Sequence, residues 1–289
     1  MKPPPFEHHV VGSIDEATRA LAEFGDEAKV LAGGQSLMPL LNLRLTHPTH
    51  LVDINRVAEL EGISNGDGVR LAAVTRHRTA ERSPVLQAAN PLLVDAIRWI
   101  GHAAIRNRGT IGGSLAHSDP AAELPLLLVT LGGSVEVRSV GGARTIAAED
   151  LFDGFLTTTL EPDELLTSAH FPALERGTGW SFQEFNRRSG DFGIVSAAVT
   201  FQLADGACRN ARIGLAGVSG TPIRLSESES ALDGEPPTAA LFEGVAQAAV
   251  AALEPPNDLH GTPAYRRHLA ATLLKRALQE ALERAGNQA

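Results

Sequence analysis

What this 289-residue sequence has least of is cysteine: Cys208 stands alone. A single thiol excludes an intramolecular disulfide and any iron–sulfur cluster held by cysteines of this chain. Basic residues are outnumbered, 25 Lys and Arg against 34 Asp and Glu, for a formal net charge of −9. With no stretch of interleaved basic and aromatic residues, no nucleic-acid partner is expected. Long apolar runs are missing as well. The longest, around Leu124 to Leu131, is interrupted by Pro125 and falls short of the roughly 20 residues that span a bilayer. The opening, MKPPPFEHHVVGS, lacks the apolar centre of a secretory signal, so no transmembrane segment is expected and the expected compartment is the cytoplasm. The ten histidines include no HExxH and no pair on a helix face, and no metal site is expected on this chain.

What is present is ordinary globular material, 43% hydrophobic, of a length that suggests about two domains. The first half alternates small α/β units. Ile14 to Phe24 has helical apolar spacing closed by Gly25, and Lys29 to Ala32 reads as a short buried strand. Strands follow at Leu51–Ile54 and Val69–Val74, then a helical segment through Ile97–Ala104. The second half changes character: Trp180–Ala198, Val199–Leu203 and Ala211–Leu225 read as an antiparallel sheet with short turns. Helices follow near Ala239–Leu253 and beyond Pro263. In the last helix Tyr265, Leu269, Leu273, Ala277, Leu278 and Leu282 share one face, with Arg266 and Arg267 off that stripe.

Two glycine joints carry the chemistry. LAGGQSL (Leu31 to Leu37) leaves a strand, places two glycines, then Gln35 and Ser36, and enters a Leu-rich helix, with Ser36 in the position of an N-cap. It is neither GxxxxGK[ST] nor GxGxxG. Free amides, a helix start and a hydroxyl nevertheless make an anion nest. The second joint, Thr110, Ile111, Gly112, Gly113 and Ser114, offers the same elements and runs on to His117, Asp119 and Glu123. Two such nests suggest a pyrophosphate, with Asp119 or Glu123 for ribose hydroxyls. Ser114, His117 and Asp119 are the residue types of a hydrolytic triad, but they lie too close in sequence and no GxSxG surrounds the Ser, so hydrolysis is not expected.

Together, AGGQSLMPLLNLRL and TIGGSLAHSDPAAELP resemble the FAD-binding medium subunit of the molybdenum hydroxylases, the family of aerobic carbon monoxide dehydrogenase and xanthine dehydrogenase. SFQEFNRRSGDFGIVSAA and HGTPAYRRHLA extend the likeness over almost the whole chain. The resemblance implies an α+β fold. A two-part FAD-binding domain of the p-cresol methylhydroxylase type would cover residues 1–175, and a smaller α+β domain with a three-stranded antiparallel sheet residues 176–289. It also implies that the two joints wrap the FAD pyrophosphate. Leu166 falls where relatives contact the flavin through the backbone, and Ile100 where some place a Phe on the ring. Phe182 stands where carbon monoxide dehydrogenase-like relatives have Tyr, and Gln183 where xanthine dehydrogenase-like ones have Lys; Arg187 or Arg188 could replace that charge in part or form a structural ion pair.

By the same resemblance the chain is one subunit of a larger oxidoreductase. FAD is expected on this chain, two [2Fe–2S] clusters on a small partner and a molybdenum–pterin cofactor on a large one, with the whole assembled as a dimer of heterotrimers. No side chain of this subunit is expected to be catalytic. A stand-alone NAD(P)H-dependent flavin reductase and a non-catalytic FAD-binding scaffold are the alternative functions.

Overall fold

The computed structural model of the chain describes residues 2–286. It opens with β1 (Glu7–Val10), α1 (Ile14–Phe24), β2 (Ala28–Leu31), α2 (Leu37–Leu43) and β3 (His50–Asp53). The three strands form a parallel sheet in the order β1-β3-β2. α1 begins where the Ser13 hydroxyl accepts the Glu16 amide at 3.1 Å and ends at Gly25, whose φ of +51° favours glycine. Because the strands are parallel, their C-terminal ends share one side, and the chain leaves β2 there directly into the first glycine joint.

The chain continues through β4 (Ile63–Gly66), β5 (Gly68–Ala72), α3 (His77–Glu81), α4 (Pro84–Ala89), α5 (Pro91–Trp99), α6 (Ala103–Arg106), α7 (Ile111–His117) and α8 (Glu123–Leu131). It then forms β6 (Ser134–Ser139), β7 (Gly142–Ala147), α9 (Ala148–Leu151), the short pair β8 (Phe152–Gly154) and β9 (Thr157–Thr158), and β10 (Leu165–Phe171). β4-β5-β10-β6-β7 is an antiparallel sheet. The helix expected through Ile97–Ala104 is broken. Gly101 turns the chain with φ +49°, and the Arg106 guanidinium donates to the Ile100 and Gly101 carbonyls at 3.1 and 3.0 Å, replacing the helical bonds lost there.

The remaining elements are β11 (Gly179–Phe185), β12 (Val195–Ala204), β13 (Ala207–Ala216), β14 (Ile223–Arg224), α10 (Ser226–Leu232), α11 (Ala239–Ala251) and α12 (Pro263–Gly286). The three long antiparallel strands expected from the sequence are present, and the two-residue β14 adds a fourth. Asp205 and Gly206, both at positive φ, make the two-residue turn between β12 and β13. On α12, Leu269, Leu273, Ala277 and Leu278 are buried as the periodicity predicts, while Tyr265 is 39% exposed. Arg266 is buried instead of solvated. Its two terminal nitrogens donate to both Asp258 oxygens, at 2.9 and 2.7 Å, and to the carbonyls of Ile194 and Gly217, so the charge enters the core paired, with only Nε lacking a partner among the described residues.

Two cores result. One gathers Leu71, Leu93, Ile97, Leu127, Val135 and Phe171; the other gathers Val199, Phe201, Ile213, Phe242, Leu274 and Leu278. They meet along α5 and β11 and along α8 and β13. Gly214 marks the tightest approach: a Cβ there would run into the Thr130 hydroxyl of α8.

Candidate cofactor cleft

A cleft of about 690 Å³ opens where the end of β2, the start of α7 and the strand β10 come together. Of the residues singled out in the sequence, Ala32, Gly33, Gly34, Gln35, Ser36, Leu37, Ile100, Thr110, Gly112, Gly113, Ser114, Asp119, Glu123 and Leu166 line it. Its volume falls in the range of small-molecule sites, roughly 300–1,000 Å³.

The two joints contribute differently. In the first, the amides of Gly33, Gly34, Gln35, Ser36 and Leu37 donate to no group among the described residues. Gln35 folds back to donate from Nε2 to the Gly33 carbonyl at 2.9 Å, and Gly34 holds φ +71°. Successive unpaired amides beside a cavity are what a phosphate requires. Ser36, however, is not an N-cap: its backbone is already helical, with φ −100° and ψ −45°, and its side chain makes no capping bond. Its hydroxyl is left for other partners.

In the second joint the amides are spent inside the protein. Ile111 N–H donates to the Thr75 carbonyl at 3.1 Å, Gly112 to Ala73 at 2.8 Å, Gly113 to the Thr110 hydroxyl at 3.1 Å and Ser114 to the Thr110 carbonyl at 3.0 Å. The expected second nest is therefore a packed joint, and the true N-cap is Thr110. Its glycines are explained by close contact. A Cβ on Gly112 would sit 2.7 Å from the Ala73 Cβ and 3.0 Å from its carbonyl. Gly33 is constrained in the same way, since a Cβ there would strike the Arg108 carbonyl and lie 2.9 Å from the Gly109 Cα.

Sequence reasoning missed the polar bridge that holds the joints together. Asn55 Nδ2 donates to the Ala32 carbonyl at 2.8 Å and to Asp53 Oδ1 at 2.7 Å, and its Oδ1 accepts from Arg76 at 2.6 Å. The other arm of Arg76 reaches the Arg108 carbonyl at 2.6 Å. His77, fully buried, lies 2.9 Å through Nε2 from the Thr110 carbonyl. Burial, aided by the nearby Arg106 and Arg76 charges, lowers its pKa to about 4, so the ring is neutral and Nε2 carries the proton it donates. The signal available was Asp53 and Asn55 at the end of one strand and RHR a few residues beyond another, polar groups at strand ends where α/β folds build sites.

Glu123 enters the cleft at the head of α8, only 5% exposed, and Glu184 of β11 lies beside it at 7%. Burial first, and then the Glu184 and Asp119 charges, push the Glu123 carboxyl up to about 8. Burial raises Glu184 to about 7 against the opposing hydrogen bonds from Ser196, at 3.0 Å, and Asn186, at 3.2 Å. At neutral pH the pair holds a proton. Asp119 Oδ1 accepts the Ala121 amide at 2.9 Å.

Four expected residues lie outside the cleft. Leu31 ends β2, its carbonyl accepting the Ile54 amide at 3.1 Å. Ile111 is wholly buried in the first core. Phe182 also packs in that core, 6.3 Å from the Trp99 ring. Gln183 points from the other face of β11 and donates to Glu280 of α12 at 2.6 Å. Arg187 and Arg188 are exposed, line no part of the cleft and form no ion pair among the described residues. No hydrogen bond joins Ser114, His117 and Asp119 among the described residues.

Residues 4–174 match the family described as the FAD binding domain in molybdopterin dehydrogenase, and residues 180–281 match the CO dehydrogenase flavoprotein C-terminal domain. The chain belongs to the FAD-binding medium subunits of the molybdenum hydroxylases. It is 42% identical to the 6-hydroxypseudooxynicotine dehydrogenase complex subunit alpha of Paenarthrobacter nicotinovorans, over 99% of this chain and 97% of that one. Its fold superimposes on a chain of the carbon monoxide dehydrogenase of Hydrogenophaga pseudoflava with TM-score 0.96 at 38% identity, covering 98% and 99% of the two chains. Quinoline 2-oxidoreductase from Pseudomonas putida 86 gives 0.94 at 35% identity, covering 99% and 100%. As a medium subunit the chain is part of an oxidoreductase and its cofactor is FAD. No described helix is long and apolar enough to cross a membrane.

Proposed function

We propose that this medium subunit is the electron-transfer subunit of a cytoplasmic heterotrimer, doubled into a dimer of heterotrimers. It passes electrons from two [2Fe–2S] clusters on a small partner to an external acceptor, while a large molybdenum–pterin partner oxidises the substrate. The observation that carries the reading is the run of five unpaired amides from Gly33 to Leu37 along the cleft. The only cysteine supports the division of labour, because Cys208 is buried in the second core and leaves no thiolate set for a cluster.

In this reading the first joint holds the pyrophosphate through its backbone, and the Ser36 hydroxyl joins it. Ser114 and Thr110 bound the cleft on the opposite side, and Gly112 and Gly113 keep α7 close. Asp119 and Glu123 face the sugar hydroxyls. Ile100 and Leu166 form apolar walls that exclude water. Bound FAD supplies the ability to take up and release electrons singly or in pairs, and the protein sets its position and surroundings. The FAD-binding part ends at residue 175 and the carbon monoxide dehydrogenase flavoprotein-like part begins at 176.

The test is purification of the chain alone and with its co-expressed neighbours, followed by absorbance spectra and metal analysis. Flavin bands in the isolated chain, joined by iron–sulfur absorbance and molybdenum only in the co-purified complex, are expected. Flavin in the isolated chain that NADH or NADPH bleaches rapidly, with no partner recovered, would replace this reading with a stand-alone flavin reductase.

A further inference from the structure

Strand pairing brings together three groups that are remote from the cleft and that no helical spacing reveals. Glu7 and His9 alternate onto one face of β1, and the parallel register sets Glu7 opposite His50 of β3. His9 Nε2 lies 3.0 Å from His50 Nδ1, 3.7 Å from Glu7 Oε2, and the remaining side, His50 Nδ1 to Glu7 Oε2, is 3.8 Å. On the same row of the sheet β2 contributes only Ala28, which leaves room for an aromatic ring above His50. Phe24, the last residue of α1, closes that face, its ring stacked on His50 at 3.9 Å and tilted against His9 at 4.8 Å.

We propose that Glu7, His9 and His50 form a binding site for a divalent transition metal of the zinc type, which clamps β1 to β3. Nitrogen and carboxylate ligands bind zinc at about 2.0–2.2 Å in a tetrahedron, so two ligand atoms stand about 3.3–3.5 Å apart. The three printed sides bracket that spacing, so small side-chain rotations close the triangle. The chemistry also fits. Two imidazoles and one carboxylate suit zinc and its neighbours rather than calcium or magnesium, and the fourth position goes to water because Glu7 is exposed. Without metal, one of the two close nitrogens of His9 and His50 carries the hydrogen of an N–H···N bond; metal binding takes the other tautomer of that ring, its hydrogen moved to the remote ring nitrogen, so that both lone pairs face the metal. Phe24 fixes the His50 ring plane, which reduces the rotamer freedom lost on binding. The site lies at the N-terminal ends of β1 and β3, opposite the end from which the first glycine joint leaves the sheet. It therefore acts on the sheet that supports the cleft and not on the cofactor directly.

The experiment uses the full chain treated with a chelator and titrated with Co²⁺ as an absorbing probe, then with Zn²⁺ in competition. One equivalent of Co²⁺ with the intense visible bands of a tetrahedral site, displaced by Zn²⁺, is expected. Affinity should fall by about tenfold or more in both His9→Ala and His50→Ala, with flavin content and circular dichroism unchanged. Because those variants could perturb the strand edge, Glu7→Gln, at an exposed position, provides a milder second test and should weaken Co²⁺ binding while leaving the melting temperature of the metal-free chain unaltered. Absence of Co²⁺ or Zn²⁺ binding in the wild-type chain, or binding of equal strength in all three variants, overturns the assignment.

Discussion

Four glycines in the two joints look alike in the sequence and do different things. Gly34, at φ +71°, sits in the row of unpaired amides, and a Cβ on Gly113 would clash with the Thr110 hydroxyl, at 2.6 Å. Gly33 and Gly112 are held by backbone and side-chain contacts from neighbouring segments. Gly112→Ala should therefore destabilise the flavin-free chain by about 1–3 kcal/mol, the usual cost of overpacking, as measured by urea unfolding. An unchanged midpoint would show that Gly112 is not confined by Ala73. Glycine pairs were legible as sites of close approach, but the sequence does not say whether a ligand or the protein itself makes the approach. That distinction depends on Ala73 and Arg108, which reach the joints only through the tertiary fold.

At the scale of elements, most of the cleft was legible. The order strand, glycines, helix places Ala32 to Leu37 at a strand end, and the second joint falls at the start of α7. The pairing of amides was not legible, because it requires knowing that α7 docks on Thr75 and Ala73 beyond β5. Phe182 and Gln183 were placed by likeness alone, and strand alternation sends them to opposite faces of β11, neither of which lines the cleft. The Asn55 and Arg76 bridge makes a testable link between elements. Asn55→Leu leaves the Ala32 carbonyl and the Arg76 guanidinium without their partner, a cost of about 1–3 kcal/mol. FAD affinity should fall roughly tenfold as the first joint loosens, read by flavin fluorescence on titration. Equal affinity would mean that the joint holds its shape without the bridge.

Over the whole molecule, the two cores meet beside the cleft, and the Glu123 and Glu184 pair spans that meeting. A carboxyl held above its ordinary value of 4.5 binds its proton more tightly folded than unfolded. The stabilisation is complete below about pH 4.5 and is lost as the pH rises through about 7 and 8. The flavin-free chain should lose stability between pH 5 and 8, and Glu123→Gln should flatten that loss, as measured by denaturant unfolding across the range. A slope identical to wild type would show that the pair does not retain its proton. The pyrophosphate cradle is the first joint, and Ser36→Asp probes it. A carboxylate at the start of α2 is compatible with the helix dipole, so folding should be preserved, yet it competes with a phosphate for the same amides. Titration of this variant with FAD should give a dissociation constant at least about tenfold higher than wild type, with an unchanged or higher melting temperature in the absence of flavin. Wild-type affinity in this variant would contradict the assignment of Gly33 to Leu37 as the pyrophosphate cradle.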